Sequence, residues 1–518
     1  MVLLMVIYSR LCQFTFICLA FLTCKSSSPS GGIRRNSNPI PSPTLVMAGD
    51  YPDPSVAKIG NTYWASATSS NWFPAYPMMK SEDLVHWETA GFVFEKKPDW
   101  ADFYFWAPEV APEKGKVYIY YTAHKKDGNL CVGVASANKP EGPYRDHGPL
   151  ICQPDGSIDG FPMRDETGKL YLIWKEDGNS VGKPTPIWAQ PLNEERTALT
   201  GSKQELFRND SPWEANLVEG VSIIRHGDYF YALYAAAGCC GHACTYGTGV
   251  ARAKSLLGPW EKYKQNPILT ADPMWKCPGH GTPIEKDGRH YFLYHAYSQQ
   301  GGVFVGRQVL LREFRFTDNG WIDFESTAKP MASMPGNITY DFNDDNLPKA
   351  WNWSVFRQPV THLRKGQLQI NAQPDKFGDY IGHRTTSPNY TAQTTILTEK
   401  QEALAGLAII GDDDNAIGIS LQGTQLYVWK LEKGKEQSLG KAQIEAASRV
   451  KLLIKVQNGS SLSFSYSTDG TTFKPIGERS IDGSYLPPWD RALRVGLTAK
   501  GPNSRVALFD DFTLNSGH

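Results

Sequence analysis

Five ionisable residues, Asp53, Glu109, Asp159, Glu219 and His280, each stand six to nine residues ahead of a glycine that opens a strand-like segment. Gathered in one place, such a set could do acid–base chemistry on an acetal. One carboxyl gives a proton to the leaving oxygen, and a second, as carboxylate, activates water on the opposite face of the sugar ring. Inversion asks for the two to lie roughly 6.5 to 9.5 Å apart. A third carboxylate can keep the acid protonated, because a neighbouring negative charge disfavours ionisation. Spacing alone does not assign these roles, and each residue also has a plain structural reading. Asp53 before Pro54 is a turn former, and Glu219 before Gly220 says little alone. His280 fits a hydrogen-bonded buried imidazole as well as a metal-linked one. Glu109 reads as an axial hydrogen-bonding residue rather than a proton carrier.

The elements that must position these groups come from an internal repeat. The segments opened by Gly60, Gly115, Gly168, Gly227 and Gly288 share one pattern, a turn glycine followed by a β-branched or aromatic strand, and the glycines are 55, 53, 59 and 61 residues apart. That period suits a four-stranded antiparallel sheet with its loops, stacked radially as the blade of a propeller. If the strand before each glycine is the innermost of its blade, all five ionisable residues point into one central cavity. Beyond about residue 337, alternating segments such as Gln425-Leu-Tyr-Val-Trp and Leu462-Ser-Phe-Ser-Tyr are separated by Gly, Asn and Asp turns, the pattern of a β-sandwich. Tyr340-Asp-Phe and Phe509-Asp-Asp-Phe are expected to pair as its closing strands. The fold class is therefore all-β: a five-bladed propeller over 48–326, a linker over 327–336 and a sandwich of jelly-roll or concanavalin type over 337–518.

Several stretches in order resemble glycoside hydrolase family 43, enzymes acting on arabinose- and xylose-containing polysaccharides. They are Tyr51-Pro-Asp53-Pro-Ser, Asn71-Trp-Phe-Pro, Ser81-Glu-Asp-Leu-Val-His-Trp87, Trp106-Ala-Pro-Glu-Val110, Ser157-Ile-Asp159-Gly, Val218-Glu219-Gly, Pro278-Gly-His280-Gly and Gly306-Arg307-Gln. The resemblance covers about residues 48 to 325. It implies Asp53 as general base, Glu219 as general acid and Asp159 as the residue that tunes and orients the acid. Arg307 would hydrogen-bond the sugar or the base, and Trp72, Phe73 and Trp106 would line the pocket for the terminal sugar. His280 would lie near the axis and could face a structural calcium ion through water; the chemistry itself needs no cofactor. Taken singly, Trp72 and Trp106 are more often core than pocket residues. Gly160 departs from the proline that often follows the tuning aspartate in this family.

The implied activity is an inverting, exo-acting α-L-arabinofuranosidase or β-D-xylosidase releasing one sugar from a non-reducing end, with oligosaccharide or polysaccharide as its partner. The alternative is a propeller that binds glycan without cleaving it. A third reading puts sugar binding on the sandwich through Trp351, Trp353 or Trp429. With 53 basic against 53 acidic residues and no run of like charge, a nucleic-acid partner has no electrostatic footprint.

The first 24 residues read as an export signal, with Arg10 ahead of an apolar run too short to span a bilayer, and residues 25–47 as a linker. Export as a secreted, periplasmic or surface protein follows, with membrane attachment only through a lipidated Cys24. Cys239, Cys240, His242 and Cys244 fall within six positions. Adjacent thiols do not comfortably share one tetrahedral ion, so a disulfide that stiffens a loop is expected there rather than zinc.

Overall fold

A computed structural model describes residues 43–325, 336–399 and 401–517. The five repeated glycines each turn a tight antiparallel hairpin, with partners Ile59 and Thr62, Glu113 and Lys116, Arg164 and Leu170, His226 and Tyr229, and Lys286 and Arg289. Their φ angles lie between +56° and +90°. A Cβ at any of them would meet nothing within 4 Å, so the left-handed backbone, not lack of space, calls for glycine.

Each hairpin is the inner half of a four-stranded blade. The innermost strands are Ser55–Ile59, Ala101–Glu113, Ser157–Arg164, Val218–His226 and Trp275–Lys286, and each touches the next around a complete circle. The ring closes when Thr44–Met47 pairs with Arg307–Phe316, so the fifth blade takes its outer strand from ahead of the first. Residues 44–47, expected in the linker, are thus a buried strand of the propeller. The chain just ahead of the first blade is thereby held in the sheet of the last, which ties the two ends of the ring together.

The inner strands are not regular. Asp53, Ala107, Asp159, Gly220 and His280 all have positive φ, from +41° to +60°, and the pairing register slips around the last four. A bulge re-aims the side chains beside it. The left-handed residue, bulged in the last four blades, marks the matching level of all five. Asp53, Asp159 and His280 occupy that level, but Glu219 precedes it by one residue and Glu109 follows it by two. The five do not stand at one equivalent place, as the spacing to the glycines suggested.

The C-terminal domain is a two-sheet sandwich, closed where Ile338–Tyr340 pairs with Leu514, Thr513 and Phe512, as expected. Apolar residues of both sheets interdigitate between them in one core. One sheet runs through Asp379–Arg384 and Trp351–Ser354 and then takes in Trp72–Phe73 of the propeller, with Trp353 opposite Phe73 and Ser354 opposite Trp72. A strand from the first blade is thereby built into the sandwich. The export signal 1–24, Cys24 and nearly all of the 327–336 linker lie outside the described residues. No described helix is long and apolar enough to cross a membrane.

Candidate active site

Asp53, Asp159, Glu219, His280, Arg307 and Trp106 line one cavity of about 410 Å³ at the propeller axis. That volume lies in the usual range for small-ligand sites. The carboxylate of Asp53 is held from three sides. Thr68 Oγ1 donates to Oδ2 at 2.7 Å, Arg307 Nη1 donates to Oδ1 at 3.0 Å, and His280 Nδ1 stands 3.4 Å from Oδ1. Burial by itself would raise this carboxyl, but Arg307, His280, His295 and Thr68 together bring it down to about 2. Asp53 is therefore ionised at neutral and mildly acidic pH. His295 is held neutral, chiefly by burial and then by Arg307, which leaves its Nδ1 free to accept the Asp53 backbone N–H at 2.9 Å.

Across the axis, Glu219 accepts from Lys175 Nζ at 2.6 Å and from the Tyr246 hydroxyl at 2.8 Å. Lys175 is 1% exposed and also donates to Asp177 at 2.8 Å. Burial would lower its basicity, but Glu219, Asp177 and Asp159 outweigh burial and hold it above its ordinary value as an ammonium. Asp159 lies between the two sides. Its Oδ2 accepts the Gly220 N–H at 2.8 Å, and burial, with Glu219 and Asp53 adding to it, pushes its carboxyl up to about 6 against His280 and Lys175. Gly220 is fixed by more than its φ of +60°, since a Cβ there would stand 2.7 Å from His280 Cγ. Gly160 is explained in the same way: its Cβ would lie 2.5 Å from Val132 Cγ1.

Below this cavity the axis narrows to a second one of about 10 Å³, room for about one water. It is walled by the bulge residues together with Ser55, Glu109, Phe161, Ser222 and Thr282. Glu109 lines this channel and not the larger cavity. Burial raises it to about 8 despite hydrogen bonds from Ser55 and Thr282, so at neutral pH it is a protonated hydrogen-bonding group. Among the described residues no group of three or more His, Cys, Asp or Glu is arranged to hold a metal. His280 faces Asp53 rather than a ring of oxygen donors, and calcium favours six to eight oxygens. A calcium ion met through water beside His280, as the resemblance implies, would take its oxygens from water rather than from a ring of side chains.

Trp106 reaches the cavity as expected, but Trp72 and Phe73 do not. Trp72 is 2% exposed, packs edge-on to Tyr380 at 6.2 Å and lies under the Arg494 guanidinium at 4.9 Å. Phe73 packs on Phe105 at 5.2 Å. Their pairing with Trp353 and Ser354 turns both into the seam between domains. The aromatic walls are instead Tyr104, Trp106 and, from the sandwich, Trp489. Asp490 follows Trp489 into the site, accepting from Trp106 Nε1 at 3.2 Å, while its carbonyl accepts from Arg307 Nη2 at 2.8 Å. Asp50 secures this loop by accepting the Ala492 N–H at 3.0 Å and the Arg307 N–H at 3.3 Å.

The six described cysteines are all paired with one another. Cys239 bonds to Cys240 on the cavity wall, Cys244 to Cys277, and Cys131 to Cys152. Lys175, Asp177, Tyr246 and His295 were missed as site residues. Lys175 had a signal, a cation ending the apolar run Leu-Tyr-Leu-Ile-Trp, and so had His295 at the matching end of the fifth repeat. Trp489 and Asp490 had none.

Comparison with known proteins places this arrangement. Residues 42–322 match the family description "Glycosyl hydrolases family 43", and residues 339–514 match "Beta xylosidase C-terminal Concanavalin A-like domain". Among curated proteins, the chain is 23% identical to the Xylosidase/arabinosidase 43B of Humicola insolens, over 83% of this chain and 88% of that protein. It is 24% identical to the non-reducing end alpha-L-arabinofuranosidase BoGH43B of Bacteroides ovatus, over 71% and 74%. Among solved structures, the GH43 BlXynB protein of Bacillus licheniformis superposes with a TM-score of 0.78 at 23% identity, covering 92% of this chain and all of that one. The xylan beta-1,4-xylosidase of Bacillus halodurans superposes at 0.77 and 20%, covering 91% of this chain. With its propeller matched over more than half of its length and its sandwich matched separately, the chain belongs to glycosyl hydrolases family 43 and is a glycoside hydrolase.

Proposed function

We propose that the protein is an inverting exo-hydrolase that releases arabinose or xylose from the non-reducing ends of plant cell-wall glycans. Asp53 would be the base, Glu219 the acid and Asp159 the tuner. The observation that supports this best is that three carboxyl groups in different electrostatic settings line one cavity. Asp53, held at about 2, is in the ionised form needed to take a proton from water. Glu219 stands on another blade, where it can reach a leaving oxygen. Asp159, which ionises only near pH 6, changes charge beside it. Arg307 joins the Asp53 carboxylate to the Asp490 carbonyl and so registers the sandwich loop against the base.

The exo reading rests on that loop. Trp489 and Asp490 border the cavity from the sandwich, which suits a chain end better than a chain lying across it. Relatives named as xylosidase and arabinofuranosidase suggest the two pentoses. The protein should release a monosaccharide from nitrophenyl α-L-arabinofuranoside or β-D-xyloside with inverted configuration, followed by proton NMR of the first product anomer. Retention would refute the mechanism, and release of internal oligomers alone would refute the exo reading. Glu219→Gln should lower kcat by about 10²- to 10⁴-fold while ligand still binds; a propeller that only binds glycan would show no turnover to lose.

The localisation proposal is export, secreted or held at the surface through Cys24. It stands on the apolar run ahead of Cys24. Mass spectrometry of the mature N-terminus tests it, and an intact leader on the cell-associated protein would refute it.

A further inference from the structure

A line of aromatic rings leaves the catalytic cavity and crosses from the propeller to the sandwich. Trp489 stands edge-on to Trp106 at 5.8 Å, Trp106 stacks on Tyr104 at 4.5 Å, and Tyr104 meets Phe103 at 4.7 Å. Phe103 stacks on His124 at 4.1 Å and on its other side reaches Phe356 of the sandwich at 6.2 Å. The first and last members are open to solvent, Trp489 at 54% and Phe356 at 58%. Phe103, Tyr104 and Trp106 are each partly exposed. Past Phe356 the surface falls into a separate cavity of about 460 Å³ lined with charged groups, among them Arg357, Asp375, Lys376 and Asp413.

Domain packing accounts for only part of this end: Phe103 and Lys97, whose Nζ stands 5.8 Å from the ring, cover one part of Phe356, and 58% of it stays exposed. The two domains are already joined by the strand pairing of Trp72–Phe73 with Trp353 and Ser354, and Val355 donates its N–H to the Asn71 carbonyl at 2.9 Å. Phe356 comes directly after that join and turns outward. A large exposed apolar side chain beside a polar cavity marks a binding surface. Flat rings flanked by carboxylates and guanidinium suit a sugar chain, whose C–H faces stack on aromatics while its hydroxyls bond to the charged groups. Because the line starts in the catalytic cavity, its occupant is the remainder of the chain whose end is being cut.

We infer that Trp106, Tyr104, Phe103 and Phe356 form a track for the leaving part of a polymeric glycan, ending in a polar site on the sandwich around Arg357 and Asp413. This rests on the proposed hydrolysis only for the direction of the chain. The sandwich thus contacts sugar through Phe356 rather than through Trp351 or Trp429, which are 1% and 6% exposed, or Trp353, which is packed against the first blade.

The test compares the wild type, Phe356→Ala and Phe356→Trp on nitrophenyl pentosides and on linear xylo- and arabino-oligosaccharides of two to six sugars. Losing one stacking partner should lower kcat/KM on the longer oligosaccharides by roughly 3- to 10-fold. The nitrophenyl substrates should change less than twofold, and Phe356→Trp should keep the preference for length. Binding of the hexasaccharides to a Glu219→Gln protein, read by calorimetry, should weaken by the same factor when Phe356→Ala is added. An equal loss on short and long substrates, or hexasaccharide binding that ignores Phe356, overturns the track. If the wild type cleaves none of these substrates, the proposed hydrolysis fails, and the calorimetry still decides the track.

Discussion

Replacing Asp159 by asparagine should cut turnover sharply and yet make the protein more stable, increasingly so as pH rises. In the folded protein burial first, then Glu219 and Asp53, move this carboxyl from 3.8 to about 6. A carboxyl raised on folding contributes stability that is fully present below 3.8 and is lost as pH rises through 6. At about 1.4 kcal/mol per pH unit, the loss amounts to about 3 kcal/mol at pH 7 and above. The asparagine would carry no charge at any pH and would still offer an oxygen to the Gly220 N–H that now bonds Asp159 at 2.8 Å. The variant should match the wild type near pH 4 and exceed it by about 3 kcal/mol at pH 8. Urea unfolding followed by tryptophan fluorescence at pH 4.5, 6 and 8 measures the gap, with the first transition taken alone because two domains need not unfold together. The same variant should lose about 10²- to 10⁴-fold in kcat on a nitrophenyl pentoside. A gap that is negative at pH 8, or that does not vary with pH, would refute the electrostatic account of Asp159 whatever the kinetics show.

Glu109→Gln tests the axial channel. Burial moves Glu109 from 4.5 to about 8, so its contribution is lost between those pH values, and the glutamine protein should gain about 4 kcal/mol on the wild type from pH 4.5 to pH 9. Denaturation midpoints across that range check it, and parallel curves would refute it. Asp53→Asn should behave in the opposite sense. Arg307, His280, His295 and Thr68 overcome burial and bring Asp53 from 3.8 down to about 2, so its stabilisation is present above 3.8 and lost as pH falls through 2. The variant should be weaker by about 2 kcal/mol at pH 7, with the gap closing in acid, as thermal unfolding at pH 7 and pH 2.5 would show.

The propeller was legible because its turn glycines repeat for a backbone reason. A hairpin that needs positive φ admits little else, so the period survives in the sequence whatever the strands contain. The sandwich was legible from alternation alone, since one face of each strand is buried and the other wet. Trp72 and Phe73 were misplaced for a reason that no local pattern contains. Whether a two-residue strand faces a pocket or a seam depends on which distant strand annexes it, and Trp351–Ser354 lies some 280 residues further on. Trp489 and Asp490 were invisible for the same reason, as a loop of the second domain placed over the first.

The depth of Glu109 is more instructive, because its signal was on the page. The distances from the five residues to their glycines run from six to nine, and a strand with period two does not carry a side chain to one face at both odd and even offsets. Either the strands were bulged or the residues stood at different depths, and both proved true. The left-handed residue of each blade, Asp53, Ala107, Asp159, Gly220 and His280, bulged in the last four, puts Asp53, Asp159 and His280 at one level. It swings Glu219, one residue ahead, toward Lys175 and Tyr246. Glu109, two residues beyond, drops into the narrow channel where its proton is held to about pH 8. Two adjoining cavities on one axis thus separate a carboxyl that must stay neutral from three that line the larger site. The backbone irregularity, rather than the repeat itself, makes that separation.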